Sequence, residues 1–247
     1  VVMSHRRMKY KLLKFVGASL LVSSLSFSPV LALQVELHTY INGVNGNYSA
    51  RPFDGLEGIL NNYSDAARND AWFGTFCLEQ NEYFTPGGVY EVQIVGSAAM
   101  DGGRRDTDFG APDPGDPISV GTAFLYEHFV LGTLSDISDF EYGNSTWSAR
   151  LQDMIWYLEG EVDTLNGGIR LDMALKDQFG GGENWIAHAE LDYIGSAVQV
   201  MNLTTATGGR RQDQLVYTQS VPDGGTTLAL MGLGLAGLVA TRRKLSS

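Results

Sequence analysis

The sequence has very few residues of the kinds that build disulfides and metal sites. It contains one cysteine, Cys77, in 247 residues, which excludes an internal disulfide and a zinc site of paired thiolates. Its four histidines fit no HExxH helix or cysteine–histidine metal motif, and no Gly-x-Ser-x-Gly nucleophile turn occurs. The histidines are His5, His38, His128 and His188. We therefore expect no catalytic residue, no metal and no cofactor, and we predict that the protein is not an enzyme.

Basic residues are scarce in the central part of the chain. Five of the 17 Lys and Arg residues lie in residues 1–32 and three lie in 221–247, whereas 27 of the 28 Asp and Glu residues lie between these segments. With nine basic and 27 acidic residues, the central part has a net charge of −18. Such a surface repels phosphate groups, so nucleic-acid binding is not expected. The acidity is typical of a protein that stays soluble outside the cell.

The chain begins with a basic segment that is followed by an apolar one. Residues 3–14 contain five Lys and Arg residues, and residues 15–32 are rich in Leu, Val and Ser. Val30 and Ala32 place small residues at the −3 and −1 positions of a cleavage site. This order is typical of a secretory signal peptide. We predict that residues 1–32 are a signal peptide cleaved after Ala32. An uncleaved membrane anchor is the alternative.

The end of the chain combines a short motif, an apolar run and a basic tail. The motif is Val221-Pro222-Asp223-Gly224-Gly225, residues 226–240 are largely apolar, and the tail 241–247 contains Arg242, Arg243 and Lys244. As a helix, residues 226–240 would span about 22 Å. Tilt or local thinning must then accommodate a bilayer core of about 30 Å. The basic residues predict that the tail stays in the cytoplasm and the acidic part lies outside.

This three-part tail resembles the PEP-CTERM class of sorting signals, most closely its VPDSG-type variant. It differs from that variant by Gly224 in place of serine, and the resemblance covers residues 221–247 only. The resemblance implies recognition by an exosortase-like membrane protease and cleavage near the motif. It also implies transient anchoring in the inner membrane, followed by delivery to the cell surface or an extracellular matrix. A plain C-terminal membrane anchor is the alternative.

Residues 33–220 are predicted to form one extracytoplasmic α+β domain that is rich in β-structure and has two or three helices. Alternating apolar residues predict strands, and apolar residues at helical spacing predict helices. The predicted strands are 34–40, 72–78, 89–95, 169–175, 198–203 and 214–218; the predicted helices are 122–134, 148–159 and, on a weaker pattern, 56–67. Residues 41–55, with several Gly and Asn residues, are predicted to be a loop.

Metal binding is an alternative interpretation of two features of this domain. Residues 101–117 are a loop with five Asp residues, a residue type that binds Ca²⁺, but the spacing fits no EF-hand loop. His128 lies in the apolar face of the predicted helix 122–134. We interpret it as a hydrogen-bonded core residue in preference to a metal ligand.

Cys77 and Gln152 each lie in a short recognisable sequence. Cys77 follows Phe76 and precedes Leu78 and Glu79, while Gln152 follows Leu151 and precedes Ile155 and Trp156 by three and four residues. Together these residues resemble the paired motifs of surface-adhesin thioester domains. The resemblance implies that the Cys77 sulfur and the Gln152 side-chain carbonyl form an internal thioester, which an external amine can attack. In the alternative interpretation, Cys77 is a buried strand residue and Gln152 is a polar surface group.

Three other functions remain open on the sequence alone. The domain can be a structural or adhesive matrix component without covalent chemistry. It can be a sugar-binding module that binds a polysaccharide on exposed tryptophan rings, for which the candidates are Trp72, Trp147, Trp156 and Trp185. An extracellular hydrolase is the third alternative, because carboxylate pairs are abundant.

Overall fold

The computed structural model of the protein describes residues 33–41, 45–53, 63–69, 71–94, 96–100, 115–165, 171–182 and 184–218. The predicted signal peptide, the sorting tail and most of the Asp-rich loop lie outside these ranges. Within the described ranges, no helix is both long enough and apolar enough to span a bilayer. The predicted membrane helix 226–240 is not among the residues described.

The strands Leu33–Thr39 and Gly88–Ile94 alternate buried and more exposed side chains, as expected for a sheet with one face in the core, whereas Val198–Thr204 and Arg210–Tyr217 are buried along most of their length. In chain order, the strands are β1 (Leu33–Thr39), β2 (Tyr48–Pro52), β3 (Arg68–Asn69), β4 (Trp72–Thr75), β5 (Gly88–Ile94), β6 (Ala98–Ala99), β7 (Asp116–Pro117), β8 (Val198–Thr204) and β9 (Arg210–Tyr217).

The two longest helices begin at polar capping residues. The Ser119 side chain accepts a hydrogen bond from the N–H of Thr122, and the Asn144 side chain accepts one from the N–H of Thr146. The helices are α1 (Val120–Val130), α2 (Leu134–Ile137), α3 (Ser145–Leu158), α4 (Leu171–Phe179) and α5 (Trp185–Ala189).

Seven strands form one antiparallel sheet in the order β3-β4-β2-β1-β5-β8-β9. The chain continues from β4 into residues 76–78, and these residues pair with β9. Leu215 donates its N–H to the carbonyl of Phe76 at 3.0 Å, and Leu78 donates to the carbonyl of Asp213 at 3.1 Å. The sheet therefore curls until its last strand meets the continuation of β4.

Helix α1 packs inside this curled sheet, next to the closure at residues 76–78. Tyr126 donates its hydroxyl to the carbonyl of Leu215 at 3.0 Å, and the rings of Phe76 and Phe129 meet edge to face at 5.0 Å. Because successive side chains of an extended chain point to opposite sides, Cys77 points away from α1 when Phe76 points toward it.

Most of the predicted elements are present, with boundaries shifted by a few residues. β1, β5, β8 and β9 confirm four predicted strands, and α1 and α3 confirm two predicted helices. The predicted strand 72–78 ends as a regular strand at Thr75 and continues with a single bridge between Cys77 and Gln214. The described part of the weakly predicted helix 56–67, residues 63–67, has a turn.

Three expectations about the fold are wrong. The predicted loop 41–55 contains β2, which pairs with β1 and β4. The predicted strand 169–175 is wrong from Leu171 onward, where α4 begins; its buried residues Leu171, Ala174 and Leu175 have helical spacing. The described residues contain five helices, more than the two or three expected, although the α+β class is confirmed.

Candidate functional site

Cys77 lies at the point where the sheet closes. It faces Gln214 across an antiparallel bridge, in which the flanking residues make the hydrogen bonds to β9. In such a pair, the backbone N–H and C=O of the central residue point away from the neighbouring strand. The backbone N–H and C=O of Cys77 must therefore make their hydrogen bonds on the side away from β9, because this position is fully buried.

Gln152 of α3 supplies both of those partners. Its Oε1 accepts the N–H of Cys77 at 3.0 Å, and its Nε2 donates to the carbonyl of Cys77 at 2.7 Å. The two residues have 0% and 1% of their surface exposed. The primary amide thus pairs with Cys77 as a neighbouring strand would. The structure brings the two predicted residues together, and Gln152 is not the surface group of the alternative interpretation.

Two buried neighbours on α3 and one side-chain hydrogen bond to a loop fix the position of Gln152. Leu151 and Ile155 are fully buried in the core on either side of it. One turn earlier, Ser148 donates its hydroxyl to the carbonyl of Asn45 at 2.6 Å, which attaches α3 to the loop before β2. The amide is therefore held on a rigid helix, and its direction relative to Cys77 is set by the fold.

The sulfur of Cys77 lies in a dry environment with polar neighbours. Burial raises the pKa of the Cys77 thiol well above its ordinary value, whereas the Tyr48 hydroxyl beside it acts in the opposite direction. The nearby Glu79 raises this pKa further, and the Trp156 indole N–H lowers it. That N–H is buried and makes no hydrogen bond of regular geometry. The thiol is thus protonated at neutral pH and shielded from water.

A buried pair of carboxyl groups adjoins Cys77. Glu79 Oε2 accepts the N–H of Asp213 at 2.9 Å, while Glu79 Oε1 is buried without a hydrogen-bond partner. The two oxygens of Asp213 accept the N–H groups of Leu203 and Met100 at 2.9 and 2.7 Å. Burial raises the pKa of Glu79 well above its ordinary value, and the Asp213 charge adds to this rise. Burial also raises the pKa of Asp213, to about 7.

A narrow cleft of about 230 Å³ is lined by Tyr48 and Trp156, the two polar neighbours of the Cys77 sulfur. Tyr48 and Trp156 form its inner wall, and Tyr83 and Phe84 contribute further aromatic surface. Phe84 packs edge to face on Tyr48 at 5.4 Å. Among the described residues that line this cleft, Glu82 is the one that carries a charge. Tyr48 and Trp156 therefore lie both at the cleft and beside the Cys77 thiol.

Sequence reasoning missed three parts of this site. Tyr48 was placed in a loop, and no periodic pattern marked it. Glu82 lies in the irregular segment before the Pro86 turn, where no periodic pattern predicts which way its side chain points. Asp213 lies in a strand whose polar residues would have predicted an exposed face, yet Gln212, Asp213 and Gln214 are all buried. That unusual run of buried polar residues is recognisable only once the sheet closure is known.

The remaining candidates lie apart from this site or outside the described residues. The Nδ1 atom of His128 is 2.8 Å from the Thr133 hydroxyl, which confirms a hydrogen-bonded histidine, although it is only half-buried. Among the residues that the structure covers, no cluster of three His, Cys, Asp or Glu side chains could hold a metal ion. Most of the Asp-rich loop lies outside that coverage, as do Ala32, the motif 221–225 and Arg242-Arg243-Lys244.

The comparisons with known proteins concern the tail. Residues 220–245 match the family described as the VPDSG-CTERM motif. Comparison with curated proteins and with solved structures found no match. The chain therefore carries a C-terminal sorting signal typical of exported, surface-associated proteins, and this motif implies processing by an exosortase-like membrane enzyme. The match does not include the domain that contains Cys77 and Gln152.

Proposed function

We propose that the exported domain attaches covalently to amines at the cell surface through an internal thioester between Cys77 and Gln152. The observation that carries this proposal is the double hydrogen bond between the Gln152 amide and the Cys77 backbone. It holds the amide beside the single thiol of the chain, in a site without solvent access. The sorting signal, which is typical of exported proteins, supports a location outside the cell, where the domain can meet a partner surface.

Formation of the bond follows from proximity. The Cys77 sulfur attacks the Gln152 side-chain carbonyl carbon, the carbon–nitrogen bond breaks, and the nitrogen leaves as ammonia after taking the thiol proton. An amide is normally inert to a thiol because ammonia leaves poorly, so the two groups must be held in contact. α3 and the closed sheet hold the Gln152 amide against the backbone of Cys77 in a buried position, which supports such proximity and the exclusion of competing water.

Attack by an external amine then completes the reaction. The amine nitrogen bonds to the carbonyl carbon of Gln152, the carbon–sulfur bond breaks, and the sulfur takes up a proton to restore the Cys77 thiol. The product is a stable amide between Gln152 and the partner. Each chain can react once, so the domain is a single-use crosslinker and not an enzyme with turnover.

Intact mass spectrometry of the purified domain tests the bond directly. Loss of ammonia predicts a mass about 17 Da below that of the sequence. A primary amine added to the native protein should then appear as an adduct on Gln152, and Cys77 should become open to alkylation after unfolding. Native protein with the full sequence mass and an alkylatable Cys77 would contradict the proposal.

Matched variants separate the bond from other causes of a mass change. Gln152→Glu keeps the size of the side chain but removes the ammonia leaving group, so it should have the full mass expected for its own sequence. Cys77→Ser should likewise show no loss. Gln199→Glu, on β8 away from the site, should retain the loss of about 17 Da.

A non-covalent matrix module is the function left if no bond forms. The surroundings of the four tryptophan rings argue against the sugar-binding version of that alternative. The cations of Arg51, Arg150 and Lys176 lie over the rings of Trp72, Trp147 and Trp185 at 5.1, 4.8 and 5.7 Å. The fourth ring, Trp156, forms the inner wall of the narrow cleft. A sugar would have to displace these contacts before it could stack.

A further inference from the structure

We infer that the narrow cleft beside Cys77 binds a protonated alkylamine, and that Glu82 is the residue that selects the amine and accepts its proton. This inference rests on the proposed thioester and names the residue that would decide which amines reach it. The cleft combines aromatic surface from Tyr48, Tyr83, Phe84 and Trp156 with the carboxylate of Glu82, the one charged side chain among its described lining residues. Aromatic faces together with one carboxylate are a setting that binds ammonium ions.

The position of Glu82 between two clefts supports this role. A wider cleft of about 440 Å³ lies on its other side, lined by Arg210 and Arg211, and both clefts share Glu82, Tyr83 and Phe84. Burial raises the pKa of Glu82 above its ordinary value, while the charges of Arg210 and Arg211 lower it and that of Glu161 raises it further. Glu82 is thus a half-buried carboxylate at the entrance to the reactive groups.

The chemistry requires such a group. An alkylamine such as a lysine side chain is protonated near neutral pH and has no lone pair for attack. Glu82 would hold the ammonium ion, take one proton and leave a neutral amine facing Tyr48 and Trp156. The amine then bonds to the Gln152 carbonyl carbon, its second proton passes to the departing Cys77 sulfur, and Glu82 releases the first proton to water. Movement of the Tyr48 and Trp156 side chains must open the last part of the path.

Rates with two amines test Glu82, after intact mass has shown whether each protein carries the bond. With an alkylamine such as cadaverine, Glu82→Gln should react about a hundredfold more slowly than the wild type, the usual size of a general-base contribution. With hydroxylamine, which is uncharged at neutral pH, the two proteins should react at similar rates. Tetramethylammonium should slow the cadaverine reaction of the wild type by competition.

The control is Glu190→Gln, an exposed residue that follows α5, which should match the wild type with both amines. Equal cadaverine rates for Glu82→Gln and wild type would overturn the role of Glu82 while leaving the thioester intact. Equal losses with cadaverine and hydroxylamine would overturn it too, because the defect would not concern the amine's charge. A wild-type protein of full sequence mass would instead remove the thioester, and this inference with it.

Discussion

Trp156 lines the narrow cleft and lies beside the Cys77 thiol, so its removal should expose the site. In Trp156→Ala, we expect small alkylating reagents to modify Cys77 several-fold faster in the native protein, since water and reagent gain access and any thioester is hydrolysed. Alkylation followed by mass spectrometry measures this rate. Trp147→Ala, which removes a half-buried ring elsewhere on the same helix, is the control. Equal rates for both variants would show that Trp156 does not shield the sulfur.

Glu79 and Asp213 predict how stability depends on pH. Burial raises the pKa of both groups in the folded domain, that of Asp213 to about 7. The folded state therefore keeps protons that the unfolded chain releases near pH 4. This contribution to stability is present below the unfolded pKa values and is lost as the pH rises through the folded ones. The free energy of unfolding should fall by up to about 1.4 kcal/mol per pH unit for each such group.

Glu79→Gln tests this expectation, because glutamine resembles the protonated acid and keeps an acceptor for the N–H of Asp213. The variant should have a shallower decline in unfolding free energy between about pH 5 and pH 8 than the wild type. Denaturant unfolding at several pH values gives the slope. An unchanged slope would mean that Glu79 does not hold its proton in the folded state.

At the scale of elements, two glycines permit the close contact between β4 and the loop before β2. A Cβ atom on Gly74 would lie 2.5 Å from the backbone nitrogen of Gly46, and one on Gly46 would lie 2.4 Å from that of Thr75. Gly74→Ala should therefore destabilise the domain by about 1–3 kcal/mol through overpacking. Thermal unfolding measures the loss. Gly209→Ala, whose added carbon would meet only the Thr205 and Arg211 side chains, should cost less. Equal losses would contradict the backbone contact.

The same elements show which parts of the fold the sequence could predict. Strands β1 and β5 alternate regularly, and α3 carries an apolar stripe, so their local patterns matched their environments. β2 could not be predicted, because Tyr48-Ser49-Ala50-Arg51-Pro52 lacks such a pattern and exists by pairing on both sides. The sequence predicts a strand where α4 lies, because the short apolar run around Leu171 permits both structures.

The candidate site, like the fold, has some parts that could be predicted from the sequence and others that could not. Cys77 and Gln152 could be identified together because each lies in a short motif, and the fold then brought them into contact. Tyr48, Glu82 and Asp213 could not, since their roles depend on where distant strands meet. Tyr48 reaches the sulfur from β2, and Asp213 reaches Glu79 from β9 across the closure of the sheet. Contacts between residues so far apart in the sequence produce no pattern in the residues around them.

For the whole molecule, the sorting signal indicates where the domain would act under the proposed function. The match over residues 220–245 implies processing by an exosortase-like enzyme, and we expect the cleavage to fall near Pro222 and Asp223. Cleavage there would release the acidic domain from the apolar run 226–240 and from Arg242-Arg243-Lys244. The thioester would then be presented on a surface. Because the bond already stores the energy of the reaction, attachment would need no energy source outside the cell.

Replacement of Pro222 and Asp223 by alanine should abolish this release. We expect the double variant to accumulate in the membrane fraction with Arg242-Arg243-Lys244 still attached, because the protease no longer recognises the motif while the apolar run and its basic end still act as a stop signal. The wild-type surface form should lack these three residues. Fractionation followed by mass spectrometry of the C-terminal peptide distinguishes the two. A matched control replaces Thr218 and Gln219, which precede the matched residues 220–245, and should be processed normally. Surface delivery of the Pro222/Asp223 variant without its basic tail would show that another sequence directs the cleavage.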